Sequence, residues 1–303
     1  MVVIIDLLVQ FAQMTLVIAL APLLTGVVRK AKARLTQHRG ASVFQPYRDL
    51  ARLLRKEVVI AHNASWLFRV APYVIFATTW VAAALVPTFA TGLLFSWSAD
   101  LIAIIALLAG ARFFTALAGL DVGTSFGGIG ASREMMIASL AEPAMLMVVF
   151  TVSLLAGSTQ LSFIAGAMQA PEIGLRVSLA MALVALIMVA LAENARIPVD
   201  NPATHLELTM IHEAMTLEYS ARHLALVEWA AALKLFNYSC IGLALFCPFG
   251  IAEGSADWRA IALALPVLVA KLAVGGAALA AIEVFSAKMR IFRAPEFLGT
   301  AFL

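Results

Sequence analysis

Residues 134–156 read EMMIASLAEPAMLMVVFTVSLLA. The stretch is long and apolar enough to cross a bilayer, which takes about 20 mostly apolar residues in helical form. It carries one carboxylate, Glu142, well inside the run and followed by Pro143. A charged side chain at such a depth costs several kcal/mol unless it faces a bundle interior or a water path. A proline there removes one backbone N–H and can kink the helix, freeing a carbonyl beside the carboxylate. The stretch therefore reads as one helix of a polytopic membrane bundle, with a hydratable point inside it.

Working outward, six further stretches have the same character: Val2–Val28, Leu67–Ala90, Ala99–Gly119, Gly174–Glu193, Leu224–Cys247 and Ala260–Glu283. An eighth apolar run, Phe297–Leu303, reads as a partial eighth span or a short interfacial tail. The first stretch has Asp6 in place of a basic leader and no clear small-x-small cleavage site, so it reads as a span. Composition agrees. Of 303 residues, 63% are hydrophobic and 13% charged, with a mean hydropathy of +0.96; a soluble single-core globule of this composition would leave too much apolar surface in water. The fold class is all-α, a transmembrane helix bundle forming one membrane domain over residues 1–303.

Lysine and arginine orient the bundle. Segments 29–66, 112–133, 194–223 and 284–296 together carry 16 of them, and the three alternate segments only Arg176 and Arg259. By the positive-inside rule the four basic segments face the cytoplasm and the N-terminus lies outside. The formal charge of +3 is thus accounted for by topology, with no call for nucleic acid. Trp66, Trp80, Trp97 and Trp258 fall mainly near span ends, as an aromatic belt would. Segment 45–59, QPYRDLARLLRKEVV, places Tyr47, Leu50, Leu53, Leu54 and Val58 at helical spacing, an amphipathic helix lying on the cytoplasmic membrane surface or docking on a partner.

Inside the spans stand Glu142, Glu228, Lys234 and Lys271, while Glu193 and Glu283 close the cytoplasmic ends of the fifth and seventh. Each alone reads equally as half of a Glu–Lys pair tying helices together or as a relay point. As a group they favour a proton relay or polar axis. The densest polar stretch is 193–223, ENARIPVDNPATHLELTMIHEAMTLEYSARH, the cytoplasmic-face segment. Asp200 or Asn201 can cap a helix beginning near Pro202, on which Thr209, His212 and Glu213 share a face. Its interleaved leucines, methionines and isoleucine predict burial against the bundle and against a second protein. Its histidine spacings fit no standard metal motif, and neither CxxC nor HExxH occurs. Cys240 and Cys247 read as buried thiols. The stretch GTSFGGIGASRE (123–134) lacks the ending of a phosphate-binding loop; its glycines predict a tight turn or close backbone approach, with Ser132 capping the next helix.

Three stretches, FGGIGASREMM, ENARIPVDNPATHLELTMIHEAMTLEYS and AKMRIFRAPEFLG, resemble the membrane subunit of formate hydrogenlyase and related energy-converting group 4 nickel–iron hydrogenases. That subunit is homologous to the membrane subunit flooring the quinone chamber of respiratory complex I. The resemblance runs over essentially the whole chain. It implies a coupling pair in Arg133 and Glu142, nine apart. It matches Glu193, Arg196, Pro198 and Asp200 to the family's AETNRxPFD motif, with Glu207 as the glutamate after it. Glu218, Tyr219 and Ser220 match its TEYS, and Glu228 its next-helix glutamate. The family's PEAE is replaced by Pro202-Ala203-Thr204-His205, which favours the hydrogenase branch over a quinone site.

The resemblance implies a membrane anchor and coupling subunit in a prokaryotic inner membrane. It would dock a hydrogenase large subunit and an iron–sulfur subunit through Arg133, Arg196, Asp200, His205, Glu207, His212, Glu213 and Glu218. It would also meet an antiporter-like membrane subunit. The proton path would comprise Glu142, Glu193, Glu228, Lys234, Lys271 and Glu283. The nickel–iron centre and iron–sulfur clusters would lie in partner subunits, with no metal, cofactor or catalytic residue in this chain. Three rivals follow from the same residues: the quinone-chamber subunit of complex I, a stand-alone secondary transporter and a purely structural anchor.

Overall fold

The computed structural model describes residues 2–92, 94–169, 176–200, 210–253, 258–287, 289 and 293–303. In chain order the described helices are α1 (Val2–Leu35), α2 (Gln45–Leu54), α3 (Trp66–Leu85), α4 (Leu101–Asp121), α5 (Ser125–Ala156), α6 (Leu161–Ala167), α7 (Val177–Glu193), α8 (His212–Thr216), α9 (Ala221–Phe246), α10 (Trp258–Phe285) and α11 (Ala294–Phe302). Six of these, α1, α3, α4, α5, α9 and α10, are long and apolar enough to cross a membrane; α7 is a shorter apolar helix of 17 residues. The periphery is apolar: Leu154, Val177, Leu263 and Val274 are each at least 70% exposed, a surface suited to acyl chains. The protein is an integral membrane protein.

Several boundaries differ from expectation for local reasons. α1 runs on past Val28 through Arg29, Lys30, Lys32 and Arg34, residues of high helical propensity. α3 ends at Leu85, ahead of Pro87. The glycine stretch expected as a turn is helical from Ser125, and its cap is Thr124, whose Oγ1 accepts from Gly127 N at 3.3 Å. Ser132 instead donates to the Ile129 carbonyl at 2.9 Å. The close approach is real: a Cβ on Gly127 would stand 2.2 Å from the Gly119 carbonyl oxygen, and one on Gly130 2.9 Å from that of Ile211. The amphipathic helix stops at Leu54 rather than 59. Val58-Val59-Ile60, β-branched and suited to extended backbone, is tethered there through Val59 N donating to Ser220 Oγ at 2.9 Å. The last apolar run forms α11, nine residues packed on α5 and α7 and too short to span. The helix expected near Pro202, with Thr209 on its face, lies outside the described residues.

α3 packs between α4 and α9; α4, α5 and α7 follow side by side; α1 lies between α10 and α9; α2 rests across α1 and α9. Two prolines inside helices are matched by donors from neighbouring elements. Pro22 leaves the Ile18 carbonyl without its helical donor, and Trp229 Nε1 of α9 donates to it at 3.1 Å. Pro72 does the same to Phe68, and the Tyr219 hydroxyl donates there at 3.1 Å while its ring stacks on Phe68. Trp80, expected in the aromatic belt, likewise donates to the Met14 carbonyl of α1 at 3.2 Å. These bonds fix α1, α3 and α9 relative to one another.

Candidate functional site

The polar centre is built on Arg112, near the middle of α4, with only 3% of its side chain exposed. Its guanidinium meets three carboxylates: Glu142 of α5, Glu193 at the last residue of α7, and Glu134 of α5 at 3.9 Å. Lys234, near the middle of α9, pairs with the other Glu193 oxygen at 2.9 Å. Four helices thus converge on one ionic cluster. α7 ends there because its carbonyl end and its terminal carboxylate both suit two cations; Asn194 closes it by donating to the Ala190 carbonyl at 2.8 Å. Glu193 therefore lies against mid-helix residues of its neighbours, deeper than the span-end position its sequence suggests.

The cluster holds three carboxylates and two cations. With all five ionised it carries one excess negative charge, so it either retains a proton or needs a further cation. Removing one partner from such a buried set is strongly destabilising, because the remaining charge is left unpaired in low dielectric.

Cavities reach the cluster from two sides. Toward the basic end, a cavity of about 420 Å³ between α1, α2 and α9 is lined by Arg29, Asp49, His212, Glu213 and Glu228 among others. Beyond it an internal space of about 30 Å³, roughly one water's share of liquid volume, is lined by His212, Glu134, Arg112 and Lys234. His212 lines both. On the outer flank, a notch of about 380 Å³ between α4 and α5 is lined by Arg112 and Glu142. Glu142 is the open member, with 43% of its side chain exposed.

The segment carrying His212 is held from both sides. Asp200 Oδ2 accepts from Ile211 N at 3.3 Å and His212 N at 3.2 Å, and Arg133 Nη1 donates to the Met210 carbonyl at 3.2 Å. Burial, with the Lys234 charge as a lesser cause, lowers the His212 imidazole to about 4, so it is neutral at physiological pH. Burial raises Glu213, helped by the Asp200 charge. The Tyr219 phenol is likewise pushed up by burial.

The residues proposed from sequence fall into separate places. Glu142, Glu193 and Lys234 come together around Arg112. Glu228 joins Glu213 and His212 in the large cavity. Glu283 belongs to a second, separate pair set: its carboxylate, 2% exposed, meets Lys32 at 2.9 Å and Arg196 at 3.1 Å, tying α10, α1 and the chain after α7. Lys271 goes to neither, donating to the carbonyls of Cys247, at 2.7 Å, and Phe249 at the end of α9, with its ammonium over the Phe249 ring. Glu218 is exposed. His205 and Glu207 lie outside the described residues, as do Pro202, Ala203 and Thr204. Among the described residues, no group of three or more His, Cys, Asp or Glu could hold a metal.

Sequence reasoning missed the central residue. Arg112 was counted with the cytoplasmic loop 112–133, although it falls inside the apolar run Ala99–Gly119; that position was the signal. Glu134, the first residue of the stretch 134–156, is buried beside Arg112.

Residues 7–303 match the family described as NADH dehydrogenase. Formate hydrogenlyase subunit 4 of Escherichia coli K12 is 33% identical over 290 residues, covering 96% of this chain and 93% of that one. Hydrogenase-4 component C of the same organism is 36% identical over 242 residues, 80% and 76% of the two chains. In fold, the chain is similar to one in the structure of the membrane-bound sulfane sulfur reductase, an archaeal respiratory membrane complex. The TM-score is 0.75 at 17% identity, over 97% of this chain and 98% of that chain. The chain belongs to the NADH dehydrogenase family and is homologous to formate hydrogenlyase subunit 4 and hydrogenase-4 component C.

Proposed function

We propose that this chain is the membrane anchor and coupling subunit of a formate hydrogenlyase-like hydrogenase complex. It sits in a prokaryotic cytoplasmic membrane with its basic end toward the cytoplasm. That end, with Arg133, Arg196, Asp200, Glu213 and Glu218, docks a hydrogenase large subunit and an iron–sulfur subunit, which hold the nickel–iron centre and clusters. The observation that carries the reading is His212. It touches both the large cavity of Glu213 and Glu228 and the internal space of Arg112, Glu134 and Lys234. A charge change in the docked module would act first on Glu213 and His212. It would then shift proton affinity at Glu134 and Glu193 through the cations they share, and emerge at Glu142.

The test is gentle purification of the chain with its partners. A co-purifying nickel–iron large subunit, with hydrogen evolution in the isolate, is the expected result; its absence overturns the assignment. The large cavity favours one second reading, a quinone chamber. That reading predicts quinone-dependent turnover blocked by a chamber inhibitor.

A further inference from the structure

We propose that the notch between α4 and α5 is the seat of a partner transmembrane helix bearing a lysine whose ammonium pairs with Glu142. The inference rests on the multisubunit reading above and adds which surface and which chemistry join the membrane parts.

Two observations converge. The first is charge. Arg112, Lys234, Glu134, Glu142 and Glu193 sum to one negative charge, and Glu142 alone among the carboxylates opens outward, at 43% side-chain exposure against 8% and 4% for Glu134 and Glu193. The second is an acceptor without its helical donor. Pro143 has no N–H to give the Ser139 carbonyl, and both Ser139 and Pro143 are exposed on the flank where Glu142 opens. At mid-helix depth this flank faces hydrocarbon, where a partly exposed carboxylate that shares its one cation with two others and a free carbonyl are each costly.

The notch has the shape for a helix. Its walls include Ala109, Gly110, Ala138 and Ser139, small residues of the kind that let membrane helices approach closely. A Cβ built on Gly110 meets nothing within 4 Å. Lysine fits the acceptors: one positive charge and three donors on a long flexible stem can satisfy Glu142 and the Ser139 carbonyl together. A guanidinium would present five donors to these two groups. A proton on Glu142 would neutralise the charge and leave the carbonyl unserved.

The experiment uses the intact complex in membranes. A photo-crosslinking residue at Gly110, which has room for it, is compared with one at Val274 on the exposed face of α10. The expected result is a Gly110 adduct to a membrane subunit, on a helix carrying lysine within a turn of the crosslinked position. Glu142→Gln should then speed loss of that subunit on detergent extraction by on the order of tenfold or more. The same loss is expected on changing the partner lysine to Gln, with recovery in the double variant. Adducts to lipid only, or to a helix without lysine, overturn the proposal, as does unchanged retention in Glu142→Gln. If the notch proves lipid-facing while the nickel–iron subunit still co-purifies, this inference fails and the functional reading stands.

Discussion

Lys234 and Lys271 are the same residue type in similar surroundings, each inside an apolar helix, and they meet opposite fates. Lys234 pairs with Glu193 and joins a cluster drawn from four helices. Lys271 donates to two backbone carbonyls where α9 ends and lies 4.1 Å over the Phe249 ring. A charge in a span demands a partner, but the demand does not say which. A helix end with free carbonyls satisfies a lysine as well as a carboxylate does, without making it part of an ionic network.

The largest effect that would test this contrast is at Arg112. Arg112→Met leaves three carboxylates facing Lys234 alone, and loss of one member of a buried ionic set costs about 3–5 kcal/mol. The assembled complex in membranes should nearly vanish, as measured by the amount of co-purified partner; full assembly would show that the cluster is not needed. Next comes the lysine pair itself. Lys234→Met, with Arg112 still pairing Glu193, should lower assembly less than Arg112→Met does and should lower the number of protons moved per hydrogen evolved in the complex that assembles. Lys271→Met should leave that ratio unchanged and lower melting in detergent slightly, since it removes the donor from one partly buried and one exposed carbonyl. Reversed outcomes would reverse the comparison.

The smallest effect concerns acid stability. His212, lowered to about 4 in the folded protein, takes up its proton near 6.5 when unfolded. Between those values the unfolded chain binds more protons, so stability should fall as pH drops from 6.5 toward 4. Glu213, raised by burial, acts in the opposite sense over its own range. Comparing the protein with His212→Gln therefore isolates the imidazole: melting in detergent should lose part of its acid-side decline in the variant. Identical pH profiles would place His212 outside the buried path.

The fold was largely legible because the bilayer imposes length and polarity on each span. Six stretches read from sequence correspond to six long helices, and a seventh to the shorter α7. The cluster was half legible. Glu142, Glu193 and Lys234 stood out as costly charges, yet Arg112, the partner of both carboxylates, was hidden by its position near an expected span end. The glycines at 127 and 130 announced close approach correctly but not that it occurs within a continuous helix. Pairings such as Tyr219 with the carbonyl freed by Pro72 link residues 151 apart in sequence. No local pattern encodes them, because they arise only when helices are laid side by side.

The central claim is that the Arg112 cluster links redox chemistry to proton movement. Its most direct test is the number of protons moved per hydrogen evolved in inverted membrane vesicles carrying Glu193→Gln. Within this chain the change leaves two cations facing two carboxylates. The account predicts that the complex still assembles and evolves hydrogen from an artificial donor, while coupled proton movement falls by roughly tenfold or more. An unchanged ratio of protons to hydrogen in the assembled variant would contradict it.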